Sequence, residues 1–147
     1  MMASHEVRPV RKVAEVAVGD RIGPVAVPVT RETLVRYAEA SLDGNPIHQD
    51  EGFARSVGLP DVIAHGMWTM GAVGTVVSDW AGDPGRVLEF GTRFTRPVVV
   101  PVGGAELLVE GEVVAVDAES GRVSVEMSAT SGGEKVLGRC TAVVRLD

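Results

Sequence analysis

The sequence predicts an α+β domain in which a curved antiparallel sheet wraps around one long central helix. Residues 30–81 show the apolar spacing of helices, whereas residues 86–146 alternate like strands joined by short polar turns. The last helical segment, residues 65–81, is apolar on all sides, which is typical of a buried helix. A sheet that curls around this helix would bury it on nearly every side.

Three helices are predicted in the first half. The first runs from Thr30, its predicted N-cap, to Ser41, and the Asp-Gly-Asn-Pro sequence at 43–46 ends it. A short second helix is predicted from about Asp50 to Val57. The third, His65 to Ala81, has glycines at 66, 71 and 74, each costing about 1 kcal/mol of helix propensity relative to Ala. It therefore needs tertiary packing on most sides.

The second half predicts four strands in a meander. Phe90 and Phe94 are expected to point inward, and Cys140 to lie on an apolar face. The two outermost strands of such a sheet are edges that need cover or a partner, so we expect a homo- or hetero-oligomer. The predicted strands are Leu88–Arg96, Glu106–Val116, Arg122–Thr130 and Val136–Leu146.

Length and composition limit the class of protein. The chain has 147 residues, so we expect one domain over 1–147, with 1–17 a peripheral segment whose His5 is uninvolved. The net charge of −6 weighs against a nucleic-acid partner, and the single cysteine excludes an internal disulfide. The longest uncharged apolar stretch, 62–78, is shorter than the ~20 residues that span a bilayer. With no secretory signal visible, we expect a cytoplasmic protein without a membrane partner.

Asp43 and His48 form the first candidate site. They are five residues apart in a loop, where a carboxylate beside an imidazole can activate a water and move a proton at neutral pH. The alternative is structural: Asp-Gly and Asn-Pro are common turn dipeptides, and His48 could simply cap the next helix. Turn chemistry explains every position here except His48.

His65 and Gly66 form the second candidate site, at the start of the apolar helix. Backbone N–H groups are unpaired at a helix N-terminus, and a glycine lets a carbonyl approach them as in an oxyanion hole. The alternative is that these two residues only begin the helix.

Other chemistries fit the sequence less well. A metal site from Asp43, His48, Asp50 and His65 has suitable residue types but lacks the helix-spaced histidine pair of zinc proteases. Ser41 lacks a nucleophile-elbow motif, and Cys140 lies in an apolar strand where a thiolate is disfavoured.

The motifs together resemble one known family. The run 41–48, Ser-Leu-Asp-Gly-Asn-Pro-Ile-His, is similar to the signature of the MaoC-like, (R)-specific enoyl-CoA hydratases, and 63–67 and 94–98 also match. The resemblance covers about residues 18–146 and implies the hot-dog fold. Within the family, the chain is most similar to catalytic β subunits of actinobacterial (3R)-hydroxyacyl-ACP dehydratases. It departs from the usual pattern at Leu42, where the family has Gly.

The resemblance implies a role for each site residue. Asp43 and His48 would hold the water that is removed from a (3R)-3-hydroxyacyl thioester or added to the trans-2-enoyl form. The Gly66 N–H would bind the thioester carbonyl. No metal or redox cofactor is implied. The residues expected to bind substrate are Asn45, His65 and Met67. Asn45 would also orient the loop.

Two further functions stay open at this stage. A hot-dog thioesterase would have the same fold, but the predicted central helix carries no acid before Asp79. A non-catalytic partner subunit would have lost the dyad, the pair of Asp43 and His48, whereas this chain has both residues. The implied partners are an acyl-CoA or acyl-ACP substrate and a second hot-dog subunit, identical or different.

Overall fold

A computed structural model of the chain describes residues 9–147, so His5 lies outside the described part. Short 3₁₀ turns at Val13–Glu15, Pro46–His48 and Pro84–Arg86 connect the longer elements. In chain order these are β1 (Arg21–Val29), α1 (Arg31–Ser41), α2 (Glu51–Ser56), α3 (Gly66–Ala81), β2 (Val87–Phe94), β3 (Ala105–Asp117), β4 (Arg122–Ser131), β5 (Glu134–Lys135) and β6 (Leu137–Arg145).

The strands form one antiparallel sheet in the order β1-β3-β4-β6-β2, and β5 pairs with β4. α3 lies against this sheet and contacts β1, β2 and β6. The predicted α+β architecture, an antiparallel sheet around one long helix, is therefore confirmed. β1 and β2 are the two edge strands.

The first strand, β1, was not predicted from the sequence. β1 pairs with β3 from Arg21 opposite Glu112 to Val29 opposite Ala105, with an irregularity between Ile22 and Val25. Pro24 and Pro28 hid its strand pattern, because proline cannot donate a ladder hydrogen bond. An edge strand tolerates both prolines, since one side of it has no partner strand to bond.

The alternation predicted in β4 is confirmed. Its apolar side chains, Val123, Val125, Met127 and Ala129, are all buried. Cys140 on β6 is 3% exposed and lies on the same buried face as Ala142 and Val144. Each fully buried Val contributes about 1.5–3 kcal/mol relative to an exposed one, so this face supplies much of the core stability.

The helix α3 is not buried on nearly every side, which corrects the expectation from its composition. Its buried residues are Thr69, Val73, Val76, Val77 and Ala81. The opposite stripe, Met67, Gly71, Thr75 and Asp79, is exposed, with Met67 59% exposed. A single open sheet covers only one side of a helix, and apart from Met67 the residues of the exposed stripe are small or polar.

Two phenylalanines of β2 lie over two glycines of α3. A Cβ added at Gly74 would be 3.1 Å from the ring of Phe90, and one at Gly66 would be 3.1 Å from the ring of Phe94. The two phenylalanines are four residues apart on a strand, which spans about 13 Å, and the two glycines are eight apart on a helix, which spans about 12 Å. The distance between the rings therefore matches the distance between the glycines. The inward orientation predicted for Phe94 is only partly right, because its side chain covers Gly66 yet is 54% exposed.

The predicted helix starts are confirmed by their caps. Thr30 forms a capping box with Thr33, and the Asp50 carboxylate accepts a hydrogen bond from the Phe53 N–H at 3.0 Å.

Among residues 9–147, none of the helices combines the length and the apolarity needed to cross a bilayer. Before β1, the Arg11 N–H donates to the Ala81 carbonyl at 3.0 Å, so this part of the N-terminal segment lies against the end of α3.

Candidate active site

The loop after α1 and the segment before α3 come together at one place. The Ile63 N–H donates to the Ile47 carbonyl at 3.2 Å, and the Ala64 N–H donates to the Val98 carbonyl at 2.9 Å. These bonds bring His48 beside His65, 17 positions later in the sequence. Asp43, His48, His65 and Gly66, the principal residues predicted from the sequence, therefore lie at one site.

His48 is held in a defined orientation. It is 7% exposed, and its Nδ1–H donates to the Ile63 carbonyl at 2.6 Å. Because Nδ1 carries the hydrogen, Nε2 carries the lone pair. Burial lowers the pKa of His48 from its ordinary value of 6.5, and the Ile63 hydrogen bond and the Asp43 charge oppose this change. The imidazole is thus able to accept a proton near neutral pH.

Asp43 faces that lone pair. Its Oδ2 lies 4.0 Å from His48 Nε2, which is too long for a direct hydrogen bond. A water oxygen about 2.8 Å from each atom would complete a triangle with that base. The Asp43 side chain is 52% exposed, so the position between the two groups is open to a ligand.

The turn and the dyad use different atoms of the same aspartate. Asp43 Oδ1 accepts a hydrogen bond from the Asn45 N–H at 3.1 Å, and Asn45 Oδ1 accepts one from the Ile47 N–H at 3.2 Å. The turn interpretation of this loop is therefore correct for Asp43 and Asn45, while Oδ2 of Asp43 stays directed at the histidines. His48 does not cap α2, because Asp50 does.

His65 is buried beneath this loop. It is 2% exposed, and its Nε2–H donates to the backbone carbonyl of Asp43 at 3.1 Å. Its ring stacks on His48 with centroids 3.7 Å apart and planes at 23°, and Tyr37 packs against it at 4.7 Å. The burial leaves almost no His65 surface to contact a substrate.

Gly66 begins α3 directly after His65, whose ring stacks on His48. As a first-turn residue its N–H has no acceptor within the helix, and it lies at the positive end of the helix dipole. A cavity of about 250 Å³ opens beside it. Its lining is mostly apolar and includes Ala64, Thr69, Phe94, Val98 and Leu137.

The three polar side chains do not form a good metal site. One ligand atom from each of Asp43, His48 and His65 lies within 4.8 Å of the others, whereas Asp50 is used as a helix cap. A metal ion binds an imidazole in the plane of its ring. Two rings stacked at 3.7 Å and 23° cannot both direct an in-plane lone pair at one ion. Elsewhere, burial raises the pKa of the Cys140 thiol, which disfavours a nucleophilic thiolate.

Leu42, the departure from the family pattern, ends α1 in a strained conformation. Its φ of 62° lies in the left-handed region, and its side chain is 90% exposed. Leu42→Gly should stabilise the protein by about 0.5–1 kcal/mol, because relief of the strain exceeds the added entropy of the unfolded chain. Urea denaturation measures this, and Leu42→Ala is the matched control that keeps the strain. Equal stability of the two variants would contradict the explanation.

Comparison with known proteins shows the family of this chain. Residues 13–134 match the MaoC like domain, and the chain belongs to this family. It is 32% identical over 110 residues to a 3-hydroxybutyryl-CoA dehydratase of Methylorubrum extorquens, covering 74% of this chain and 68% of that protein. It is 37% identical over 84 residues to 3-hydroxyacyl-thioester dehydratase X of Mycobacterium tuberculosis, covering 57% of this chain.

Solved structures show the same fold. A MaoC-like dehydratase superposes with a TM-score of 0.92 at 37% identity, covering 95% of this chain and 43% of that one. The ChsH1-ChsH2 complex of Mycobacterium tuberculosis superposes with a TM-score of 0.74 at 24% identity, which shows the fold alone. The expected hot-dog fold and the MaoC-like dehydratase family are confirmed.

The chain is much shorter than some of its relatives. It spans 29% of the mycobacterial dehydratase X and 6% of the fatty acid synthase beta subunit TOXC of Cochliobolus carbonum. The domain therefore occurs both in short proteins and within longer ones.

Proposed function

We propose that this protein interconverts (3R)-3-hydroxyacyl thioesters and trans-2-enoyl thioesters, acting as a hydro-lyase on acyl-CoA or acyl-ACP. The observation that carries the proposal is the meeting of three groups at one place. The His48 Nε2 lone pair and Asp43 Oδ2 are 4.0 Å apart, beside the start of α3 at Gly66. The water that adds to the double bond needs the base and the carboxylate, and the thioester carbonyl needs the N–H donor.

In the hydration direction, a water held by Asp43 Oδ2 and His48 Nε2 attacks C3 of the enoyl thioester. A C3–O bond forms, the C2–C3 π pair moves toward the carbonyl, and the water proton passes to His48 Nε2. The Gly66 N–H donates to the carbonyl oxygen as its negative charge develops. The dyad then returns a proton to C2, and dehydration is the reverse of these steps.

The remaining features support an acyl substrate and need no metal or redox cofactor. The cavity beside Gly66 has an apolar wall suited to the carbons next to the thioester. Asp43 carries a negative charge that stabilises the imidazolium formed when His48 takes the proton. Both steps move only a proton and a water, so the chain's own groups suffice.

The proposed reaction is tested by following the conjugated thioester absorbance after mixing the protein with crotonyl-CoA and with longer enoyl-CoAs and enoyl-ACPs. We expect loss of absorbance without release of free thiol. Release of thiol would support the thioesterase alternative instead, although the only acid on α3, Asp79, is at the far end of the helix from the dyad. No change with any substrate would overturn the proposal.

We also propose that the chain works as a dimer with itself or with a second hot-dog subunit, and not with nucleic acid or a membrane. Within residues 9–147, surfaces without cover include the edges β1 and β2 and the exposed stripe of α3. Light scattering on the purified chain is expected to give the mass of a dimer. A stable, active monomer would refute this, and co-expression with a candidate subunit separates the two kinds of dimer.

A further inference from the structure

His65 connects the two halves of the proposed catalytic site. Its Nε2–H donates to the Asp43 backbone carbonyl at 3.1 Å, its ring stacks on His48 at 3.7 Å, and it is the N-cap residue of α3 directly before Gly66. One side chain that is 2% exposed therefore touches the carboxylate loop and the imidazole while its backbone sets the start of the helix.

The hydrogen bonds assign opposite tautomers to the two stacked rings. His48 carries its hydrogen on Nδ1, which donates to the Ile63 carbonyl, and His65 carries its hydrogen on Nε2, which donates to the Asp43 carbonyl. Among the described residues, His65 Nδ1 has no hydrogen-bond partner and is buried. A hydrogen on that atom would lack an acceptor, so the geometry favours the Nε2–H form.

We propose that His65 is a positioning residue that holds Asp43 at the correct distance from His48 through the hydrogen bond to the Asp43 carbonyl. This inference rests on the proposed function. The Asp43 side chain is itself half exposed, at 52%, and the other hydrogen bonds of Asp43, from the Asn45 N–H to Oδ1 and from its own N–H to Ser41 Oγ, stay within the loop. Without the bond, the 4.0 Å separation of Asp43 Oδ2 and His48 Nε2 would no longer be fixed.

Two amide variants separate the hydrogen bond from the bulk of the ring. In His65→Gln the amide nitrogen reaches the place of Nε2 and can still donate to the Asp43 carbonyl. In His65→Asn the amide nitrogen reaches only the place of Nδ1. With crotonyl-CoA we expect His65→Asn to lower kcat by about tenfold to a hundredfold with little change in KM, and His65→Gln to retain most of kcat.

The pH profile gives a second readout. Burial is the main cause of the low pKa of His48, and the neighbouring His65 lowers it further while Asp43 raises it. Both variants remove the second imidazole, which moves the acid limb of kcat/KM to higher pH. In His65→Asn the displaced Asp43 charge opposes this change, so the limb should move less than in His65→Gln. Val77→Ala, a cavity variant in the buried part of α3, is the control for lost stability and should leave the limb in place.

Equal loss of kcat in folded His65→Gln and His65→Asn, or wild-type kcat in His65→Asn, would overturn the positioning role. The tautomers can also be measured on the wild-type protein by ¹⁵N NMR of the imidazoles, which requires no variant and no activity. A hydrogen on Nδ1 of His65 would overturn the inference even if hydratase activity is present. Absence of hydratase activity with the Nε2–H tautomer intact would instead count against the proposed function.

Discussion

Asp43→Asn and His48→Asn should each lower kcat for crotonyl-CoA hydration by at least about 10²-fold, the scale expected for a lost acid–base group. Asn at 43 keeps the Oδ1 that accepts from the Asn45 N–H, so the turn should persist. Asn at 48 keeps a donor for the Ile63 carbonyl but lacks Nε2. His48→Ala should lose activity to a similar degree and also some stability, because that buried carbonyl is left unpaired.

The controls for these variants come from the same loop and from the pH profile. Asp50→Asn replaces an acid that only caps α2, and Asn is an equally good cap, so activity and stability should hardly change. The pKa of His48 is below 6.5, so the wild-type rate should be constant at neutral pH and fall only as His48 protonates. In Asp43→Asn the residual rate should fall at still lower pH, since the charge that raises this pKa is gone. Near-normal turnover in a folded Asp43 or His48 variant would contradict the dyad.

Gly66→Val should reduce kcat/KM by about two orders of magnitude, since loss of one oxyanion donor costs on the order of 3 kcal/mol in the transition state. A β-branched side chain at this position obstructs the approach of a carbonyl to the backbone N–H. A Cβ here would also lie 3.1 Å from the Phe94 ring, which is half exposed and can move aside. The fold should therefore survive, and a melting curve checks this.

Gly71→Val is the matched control in the same helix, because no described atom from another part of the fold lies within 4 Å of a Cβ at that position. Because Gly71 lies on the stripe proposed to face a second subunit, light scattering on both variants must first show an unchanged oligomeric state. Gly71→Val should then leave kcat/KM unchanged. The double variant Gly66→Val, Phe94→Ala removes the ring contact. If kcat/KM recovers, the loss came from the displaced ring, and the carbonyl docks elsewhere. Persisting loss supports the oxyanion role.

Much of the site could be predicted because its residues are close together in the sequence. Asp43 and His48 share one loop, and Gly66 follows His65 at a helix start, so local rules of turns and helix ends locate them. The orientation of His65 could not be predicted, because its partner is a backbone carbonyl 22 positions away. A backbone carbonyl gives no sequence signal, since every residue has one.

The fold was predictable where burial and periodicity agree. In β4 apolar and polar residues alternate in the sequence, and the apolar side chains form the buried face. β1 was missed because its two prolines are acceptable only at an edge, and edge position depends on the order of strands. The exposed stripe of α3 was missed because it begins with the apolar Met67 and Gly71, so the polar face marked by Thr75 and Asp79 shows only in the second half of the helix.

The contact between Phe94 and Gly66 has a consequence for how assembly and turnover are related. Phe94 ends an edge strand, and its ring forms the wall next to the proposed oxyanion donor. A subunit that pairs with this edge would restrict the strand and hence the ring, so quaternary contacts and the affinity for the thioester would be thermodynamically linked. Dissociation of the proposed dimer should then weaken substrate binding even though every proposed catalytic group belongs to this one chain.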